Sequence, residues 1–528
     1  MRRALARTSI RLAESLALAG LMVLAFRFPA ASGYGYLEAI AALLFPAALL
    51  RCVFRGRHLG WSFLAFALGL VGIFYWVPAT LATRAPMPYP AALGSALLFY
   101  VWEALGFLAV AFLARWAYRR RGAWGAALGA ALGILIWEAQ GFHIYTWSWG
   151  AALGGLPWLA RSAAFLTTHG LAAAFWGVGA LMAASAAHRQ YRRLWVAPLA
   201  LLAALLGLSL AWHLLPRGPE RMLDVVMIQP NFEPGHRDPW MEPEMWARSD
   251  RVMQMAGLPR RDAATLLLWP ESSVLGRDDC GPDPRLTFEA RHRGIAWLFG
   301  TEGGVSGSRQ TGEAGQTSQD RLPRYLLLNL VRGEAANQPS FIQAKVTPMP
   351  FGERMPGPAW LRTWLDEQLG FMSQEPGQLT PNSTFRFPTP QGPLAVHPVL
   401  CSEALDCRRV QRGLALAGGD LLTSHTNDGW FERSIATDLH GAQIRLRSVE
   451  AGLPLLRVTL TGKSGVFRED GAWILWGEPR SEGSYVFSLR WRPIRTPARH
   501  SGLVLFLELF LGAGLLALVA PSFRKSAP

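Results

Sequence analysis

The stretch LAVHPVLCSEALDC, from Leu394 to Cys407, joins an apolar segment directly to a polar one. The apolar residues from Leu394 to Leu400 form a short run next to turn residues, which predicts a buried β-strand. Cys401 then lies at the end of that strand, and it is one of four cysteines among 528 residues. A cysteine in this position could be a small core residue, half of a disulfide or a nucleophile.

Similar apolar runs recur on both sides of this strand, between about residues 220 and 498. Segments such as MLDVVMIQP, ATLLLWPES and SFIQAKV are short and bounded by turn residues, so they predict further buried strands. Residues 434–451 carry apolar side chains at intervals of three and four, which predicts an amphipathic helix capped by Gly452. Residues 306–321 are polar and rich in Gly and Ser, which indicates a surface loop. Strands that alternate with helices predict an α/β layer architecture.

The sequence that flanks this α/β segment is of a different kind. The chain is 51% hydrophobic and only 17% charged, whereas about 25% charged residues is typical of soluble proteins. Eight apolar spans are each long enough to cross about 30 Å of hydrocarbon as a helix. We expect the first span to remain in the protein, because no small-residue cleavage site stands out after it. The approximate limits of the eight spans are 8–27, 35–54, 60–82, 90–114, 124–142, 162–187, 195–215 and 503–520.

The basic residues of the chain, which carries a net charge of +15, follow the same division. They concentrate before the first span, after the second, fourth and sixth spans, and near the C-terminus. Positive loops face the cytoplasm, so this pattern places both termini there and residues 220–498 on the outer side of a bacterial inner membrane. The pattern accounts for the basic composition without a nucleic-acid partner. The predicted units are residues 1–219 with seven membrane helices, the domain 220–498, and residues 499–528 with an eighth helix and a cytoplasmic tail.

Three residues at the ends of predicted strands have the side chains that acyl transfer needs. Glu271 ends LLLWPE, Lys345 ends SFIQAK and Cys401 ends AVHPVLC, and open α/β sheets usually form their sites at strand ends. A thiol can attack a carbonyl, a carboxylate can take its proton, and an ammonium can stabilise the oxyanion. Each residue alone also has an ordinary explanation: a surface turn, a strand edge or core packing. The spacing does not show that the three side chains meet.

The same residues lie in motifs that resemble the nitrilase (carbon–nitrogen hydrolase) superfamily, with its Glu-Lys-Cys triad. The motifs WPES, AKVTPMPFGERMPG, LCSE and TNDGWF occur in order, and the whole chain resembles the apolipoprotein N-acyltransferase family of inner-membrane enzymes. The resemblance implies an extracytoplasmic nitrilase-like αββα sandwich, preceded by seven membrane helices and followed by one. It also implies that Glu271, Lys345 and Cys401 are the catalytic residues.

Further site residues follow from the same resemblance. It implies that Glu353 and Glu403 support the triad by holding Lys345 and the loop geometry. Ser402 stands where relatives usually carry Tyr, a change that bears on efficiency and substrate preference more than on reaction type. The residues that the resemblance assigns to substrate binding are Trp240, Ser402, Asn427 and Trp430.

The activity that the resemblance implies is a ping-pong acyl transfer by a monomeric membrane enzyme. A phospholipid gives its acyl chain to Cys401, and the N-terminus of a diacylglyceryl-cysteine apolipoprotein receives it. The chemistry requires no cofactor, and no His/Cys cluster has the spacing of a metal site. The alternatives are a membrane-tethered amidase that uses water and a catalytically silent scaffold. A disulfide between Cys280 and Cys407 also stays open, because both would face an oxidising compartment.

Overall fold

The structure is a computed structural model, and most of the membrane helices and strands fall within the residues it describes. The predicted eighth span lies outside them apart from residues 513–514, as do Trp240, Cys280 and nearly all of the predicted loop 306–321. The described residues are 2–26, 35–56, 59–84, 88–232, 251, 255, 265–275, 295–306, 325–335, 338–369, 373–431, 434–499 and 513–514.

The N-terminal part of the chain consists of apolar helices, and several of them could cross a membrane. Within the described residues, four helical stretches are long and apolar enough, and a bent pair of helices adds a fifth if it forms one span. The four are Gly35–Phe54, Tyr89–Gln140, Ala163–Ala187 and Arg193–Leu214, and the pair is Leu59–Ile73 with Val77–Thr83. The helices are α1 (Arg2–Leu24), α2 (Gly35–Phe54), α3 (Leu59–Ile73), α4 (Val77–Arg84), α5 (Tyr89–Gln140), α6 (Pro157–Ala160), α7 (Ala163–Ala187) and α8 (Ala197–Ala211).

The predicted span limits agree with some of these helices and differ from others; the predicted span 60–82, for example, consists of α3 and α4, which are bent by 52° relative to each other. α2 and α7 match the predicted spans 35–54 and 162–187 to within one residue. The basic segment RWAYRRRG, predicted to be a loop between the fourth and fifth spans, is helical up to Arg121, and the range of α5 joins two helices at Gly122. A side chain at Gly106 would meet Trp137 and one at Gly133 would meet Val110, so the two helices lie side by side and the fourth and fifth predicted spans remain separate. Arg and Ala favour helix, so the backbone stays helical until Gly122, where φ is 65° and two helical segments meet at a kink.

The second part of the chain forms two mixed β-sheets, which confirms the predicted α/β region. One sheet has the strand order β13-β1-β2-β4-β5-β6, with β3 paired to β4, and the other has the order β12-β11-β10-β9-β8-β7. The strands are β1 (Arg221–Gln229), β2 (Thr265–Leu268), β3 (Val274–Leu275), β4 (Ala296–Ser306), β5 (Tyr325–Glu334), β6 (Phe341–Ala344), β7 (Phe385–Phe387), β8 (Leu394–Leu400), β9 (Leu421–Thr426), β10 (Leu455–Thr459), β11 (Gly465–Phe467), β12 (Trp473–Trp476) and β13 (Gly483–Trp491).

The two sheets pack face to face around one apolar core. Val225 and Leu298 from the first sheet share this core with Val396 and Leu456 from the second. Among the described residues of this part, three helices have at least eight residues: α9 (Ala359–Leu369), α10 (Cys407–Ala417) and α11 (Ala436–Ala451). α10 and α11 pack on the second sheet, so the sheets and this helix layer agree with part of the predicted αββα sandwich.

Helix α11 also joins the α/β part to the membrane helices. It is the helix predicted at 434–451, and Gly452 ends it in the left-handed conformation, with φ of 64°. Its Gln443 side chain accepts a hydrogen bond from the backbone N–H of Ser148 at 3.0 Å. One apolar core continues from α2 and α7 into α11. The position of the α/β part relative to the apolar helices is therefore fixed by packing as well as by polar contacts.

Candidate active site

The ends of three strands bring the predicted triad together. Glu271 follows β2, Lys345 follows β6 and Cys401 follows β8. The Lys345 Nζ atom lies 3.2 Å from Glu271 Oε1, and the Cys401 thiol forms a hydrogen bond with the Glu271 side chain. The exposed fractions of the three residues are 2%, 1% and 8%. A carboxylate, an amine and a thiol thus share one buried site between the two sheets.

The Glu271 carboxylate is held from two sides. Its Oε1 accepts from Lys345, and its Oε2 accepts from the backbone N–H of Asn427 at 3.1 Å. A side chain at Gly300 would bring Cβ to 2.4 Å from the Glu271 Cα atom, so β4 can pass this close only with glycine. Burial raises the pKa of Glu271 to about 7, although the nearby Lys345 charge acts to lower it. The carboxyl group can therefore accept a proton near neutral pH.

Lys345 is paired with two acids. Its Nζ atom donates to Glu353 Oε1 at 2.6 Å as well as to Glu271. Burial acts to lower the pKa of Lys345, but the two carboxylates outweigh it and the pKa stays well above its ordinary value. The other oxygen of Glu353 accepts from the backbone N–H of Met349 at 2.6 Å. Glu353 thus anchors the ammonium to its own loop, which fits the supporting role predicted for it.

Cys401 lies at a sharp change of backbone direction. It follows β8 directly and begins a 3₁₀ turn, Cys401–Leu405, with φ of 44°, which is unusual for a residue other than glycine. Backbone strain of this kind concentrates at functional sites. Burial raises the pKa of the Cys401 thiol well above its ordinary value, so the thiol is protonated and needs a base to become a nucleophile.

Glu403 connects the cysteine turn to the lysine loop. Its Oε1 accepts from the backbone N–H groups of Val346 at 2.6 Å and Thr347 at 3.1 Å. Its Oε2 accepts from the backbone N–H of Leu400 at 3.1 Å, and Arg409 forms an ion pair with it at 3.3 Å. Glu403 therefore holds the loop that follows Lys345, rather than the ammonium itself, as the predicted support of the loop geometry requires.

The residues predicted to bind substrate differ in where they lie. The Ser402 hydroxyl is buried and has no hydrogen-bond partner among the described residues. The backbone N–H of Asn427 donates to Glu271, and its side-chain oxygen Oδ1 accepts from the Gly429 N–H at 3.1 Å. The Trp430 backbone carbonyl accepts a hydrogen bond from the Thr80 hydroxyl at 3.1 Å, and its side chain packs against the core that includes the membrane helices. Trp240 lies outside the described residues.

Several buried polar residues contact one another around the site, and the sequence did not predict these contacts. Asp428 accepts from Arg457 at 2.5 Å and lies 3.2 Å from the His440 ring nitrogen, and all three are buried. The Nδ1 atom of His425 lies 2.7 Å from the backbone carbonyl oxygen of Trp269, which is next to the turn that carries Glu271. These contacts join chain segments more than ten residues apart, so only the folded structure reveals them.

Two cysteines outside the triad are also described. Cys52 and Cys407 are free, and Cys407 is buried with its sulfur 3.6 Å from the His169 ring. The pairing of Cys407 with Cys280 stays untested, because Cys280 lies outside the described residues. Within the part of the chain that the structure describes, no group of three or more His, Cys, Asp or Glu side chains could hold a metal ion.

The fold and the site define a class: an α/β protein joined to apolar helices, with a buried carboxylate, amine and thiol at strand ends. Curated relatives of the chain carry the name apolipoprotein N-acyltransferase. The protein from Photobacterium profundum is 26% identical over 62% of this chain and 61% of its own. The protein from Rhizobium meliloti is 28% identical over 42% of this chain and 40% of its own. The protein from Vibrio vulnificus is 26% identical over 81% of this chain and 82% of its own. The resemblance to the apolipoprotein N-acyltransferase family predicted from the motifs is thereby confirmed.

The extent of the matches varies among these relatives. The chain spans 61% and 40% of the length of the first two, against 82% of the Vibrio vulnificus protein. No family model matches the sequence. A solved glutamine-dependent NAD+ synthetase from Acinetobacter baumannii is 15% identical over 51% of this chain and 46% of its own, with a TM-score of 0.29, and we draw nothing from so low a similarity.

Proposed function

We propose that this protein is an N-acyltransferase of the inner membrane. It would move a fatty acyl chain from a phospholipid, through a thioester on Cys401, to the N-terminal amino group of S-diacylglyceryl-cysteine apolipoproteins. The observation that carries the proposal is the shared buried site of Glu271, Lys345 and Cys401. The relatives that carry the name apolipoprotein N-acyltransferase support the choice of acceptor.

The first half-reaction forms the thioester. Glu271 takes the proton of the Cys401 thiol, and the thiolate attacks an ester carbonyl of the phospholipid. A C–S bond forms, the ester C–O bond breaks, and the proton passes from Glu271 to the leaving lysophospholipid. The remaining N–H of the Lys345 ammonium, whose other two point to Glu271 and Glu353, stabilises the oxyanion.

The second half-reaction regenerates the enzyme. The α-amino group of the acceptor attacks the thioester carbonyl, and Glu271 accepts the proton that the amine loses. A C–N bond forms, the C–S bond breaks, and the proton returns to the Cys401 sulfur. Glu353 and Glu403 keep Lys345 and its loop in place through both half-reactions. Trp240, Ser402, Asn427 and Trp430 remain proposed contacts of the substrates.

The proposed arrangement has eight membrane helices, with both termini cytoplasmic and the α/β domain on the periplasmic side. Contacts between the domain and the helices support it. Ser148, in a loop that the charge pattern places outside, contacts Gln443. Thr80, close to another such loop, contacts Trp430. Both loops thus lie on the same side as the domain, and this arrangement would hold the site near the ester groups of the outer leaflet.

The test is thioester formation with an acyl-labelled phospholipid in vesicles. Wild-type protein should retain label that hydroxylamine releases, and Cys401→Ser should retain none. Cys407→Ser is the matched control, because it removes a second buried thiol and should still be labelled. Hydroxylamine-sensitive label on Cys401→Ser would refute the assignment.

A diacylglyceryl-cysteine peptide then tests the acceptor. Mass spectrometry should show the acyl chain as an amide on the peptide amino group, and the thioester should persist until the peptide is added. If the thioester decays at the same rate without the peptide and gives free fatty acid, the protein is a hydrolase.

A further inference from the structure

Tyr145 has a buried hydroxyl that the mechanism above does not use. The residue lies five positions beyond the end of α5, in a loop between helices, and it is 3% exposed. Its hydroxyl has no hydrogen-bond partner among the described residues. A buried hydroxyl without a partner destabilises a fold, so its presence calls for an explanation.

The ring of Tyr145 is held between the membrane helices and the active-site domain. Its centroid lies 5.6 Å from that of Phe74 and 5.8 Å from that of Trp76, both in edge-to-face contact. On the domain side it lies 6.3 Å from Phe431, again edge to face. Phe431 ends the 3₁₀ turn Asp428–Phe431, which directly follows the Asn427 that binds Glu271. Such contacts restrict the ring to one orientation.

Ring contacts link Tyr145 to the residues around the proposed active site: Phe431, which packs against Tyr145, also packs against His440 at 5.9 Å, and His440 lies 3.2 Å from Asp428. Burial raises the pKa of Tyr145, the negative charge of Asp428 raises it further, and the Arg457 charge lowers it. The hydroxyl is therefore neutral and can donate. Both oxygens of Asp428 already accept hydrogen bonds, from His440 and from Arg457.

An acyl-transfer site has a use for such a donor. Both the ester and the thioester carry a carbonyl oxygen that becomes an oxyanion during attack. Lys345 directs one N–H to Glu271 and one to Glu353, so it can give the oxyanion one hydrogen bond only. A second, neutral donor would stabilise the oxyanion without adding a charge that itself needs a buried partner.

We propose that Tyr145 is a further catalytic residue, whose hydroxyl donates a hydrogen bond to the carbonyl oxygen of the acyl group in the Cys401 site. This inference rests on the proposed function. It means that the N-terminal part of the chain, besides placing the domain, contributes a group to the chemistry from a loop between its helices.

The test compares Tyr145→Phe with Tyr100→Phe. Tyr100 is a matched control, because it is also buried, in α5, but its hydroxyl donates to the Phe74 carbonyl oxygen at 2.7 Å. Tyr145→Phe keeps the ring contacts and should slow thioester formation by about 10²-fold, as loss of an oxyanion donor does. Its thermal midpoint should not fall, since the hydroxyl lost has no partner in the fold. Tyr100→Phe should lower the midpoint and keep the rate per folded molecule.

The outcomes separate this inference from the function on which it rests. If wild-type protein forms the thioester and Tyr145→Phe forms it at the same rate, Tyr145 has no catalytic role and the proposed function stands. If Tyr145→Phe loses thermal stability in proportion to its activity, its role is structural and the inference is wrong. If wild-type protein forms no thioester, both the function and the role of Tyr145 are refuted.

Discussion

The ammonium of Lys345 lies 3.2 Å from the carboxylate of Glu271, and the two groups differ in how they titrate. Two carboxylates hold the pKa of Lys345 well above its ordinary value, so this residue keeps its charge. Burial raises the pKa of Glu271 to about 7, so this residue changes its charge near neutral pH. The pair thus combines a constant positive charge with a group suited to proton transfer.

The first prediction is the pH dependence of thioester formation. Glu271 must be ionised to accept the thiol proton, so the rate should rise with pH through about 7. Glu271→Gln should lower the rate by about 10²-fold or more, because a general base is lost. The measurement is the rate of labelling by an acyl-labelled phospholipid between pH 5 and 9, for each protein. A near-normal rate for Glu271→Gln would assign the base to another residue.

The second prediction concerns Glu353. Glu353→Gln removes the charge that lies 2.6 Å from Lys345 and keeps the shape of the side chain. Thioester formation and transfer to the amine should both become slower, since Lys345 serves both steps. The rate should still depend on pH, because Glu271 is intact, but the pH at which it reaches half its maximum should be lower than in wild type, since the Glu353 charge helps to raise the pKa of Glu271. A loss of the pH dependence itself would mean that Glu353, not Glu271, takes the proton.

The third prediction concerns Glu403, the acid nearest to Cys401 in the sequence. Its carboxylate already binds three backbone N–H groups and Arg409, so it is unsuited to proton transfer. Glu403→Gln leaves the buried Arg409 without its counter-charge and should lower the free energy of unfolding by about 3–5 kcal/mol. Thermal unfolding measures this loss. The control is Glu375→Gln, because Glu375 forms a more exposed ion pair with Arg354. Unchanged stability would refute the structural role of Glu403.

The sequence predicted those parts of the molecule that depend on local pattern. The buried strand from Leu394 to Leu400 and the helix ended by Gly452 both have the predicted character, because apolar spacing and a capping glycine specify them locally. The helical conformation of the basic residues in RWAYRRRG, up to Arg121, was not predicted. The charge pattern indicated a loop there, whereas backbone propensity favours helix up to Gly122.

The sequence predicted which residues form the site but not how they contact one another. Motifs located Glu271, Lys345 and Cys401 at strand ends, but the contacts between them depend on the pairing of distant strands. Tyr145 could not be found in the sequence, since it lies more than 120 residues from any triad member. Its loop carries several other aromatic residues, so an additional tyrosine there suggests only an interfacial position.

The fourth prediction tests the proposed topology. Residues 220–498 are expected outside the cytoplasm, so a reporter active only in the cytoplasm should be silent when fused after Gly307. This position lies outside the described residues, in the segment predicted to be a surface loop. A fusion after Arg119, in a segment expected to face the cytoplasm, should be active and serves as the control. An active reporter at Gly307 would overturn both the eight-span arrangement and the periplasmic location.

The last prediction concerns the contact that joins α7 to α11. The backbone N–H and the hydroxyl of Thr168 donate to Glu450 Oε1 at 2.7 and 2.6 Å, and Arg447 donates to both residues. All three are buried, so Thr168→Val leaves a charged network incompletely paired and should lower the free energy of unfolding by about 1–3 kcal/mol. The control is Thr83→Val, which removes an exposed hydroxyl bonded to the Ala79 carbonyl of its own helix. That change should stay within about 0.5 kcal/mol. Thermal unfolding in detergent compares the two variants, and equal midpoints would show that this polar contact does not stabilise the joint between the helices and the domain.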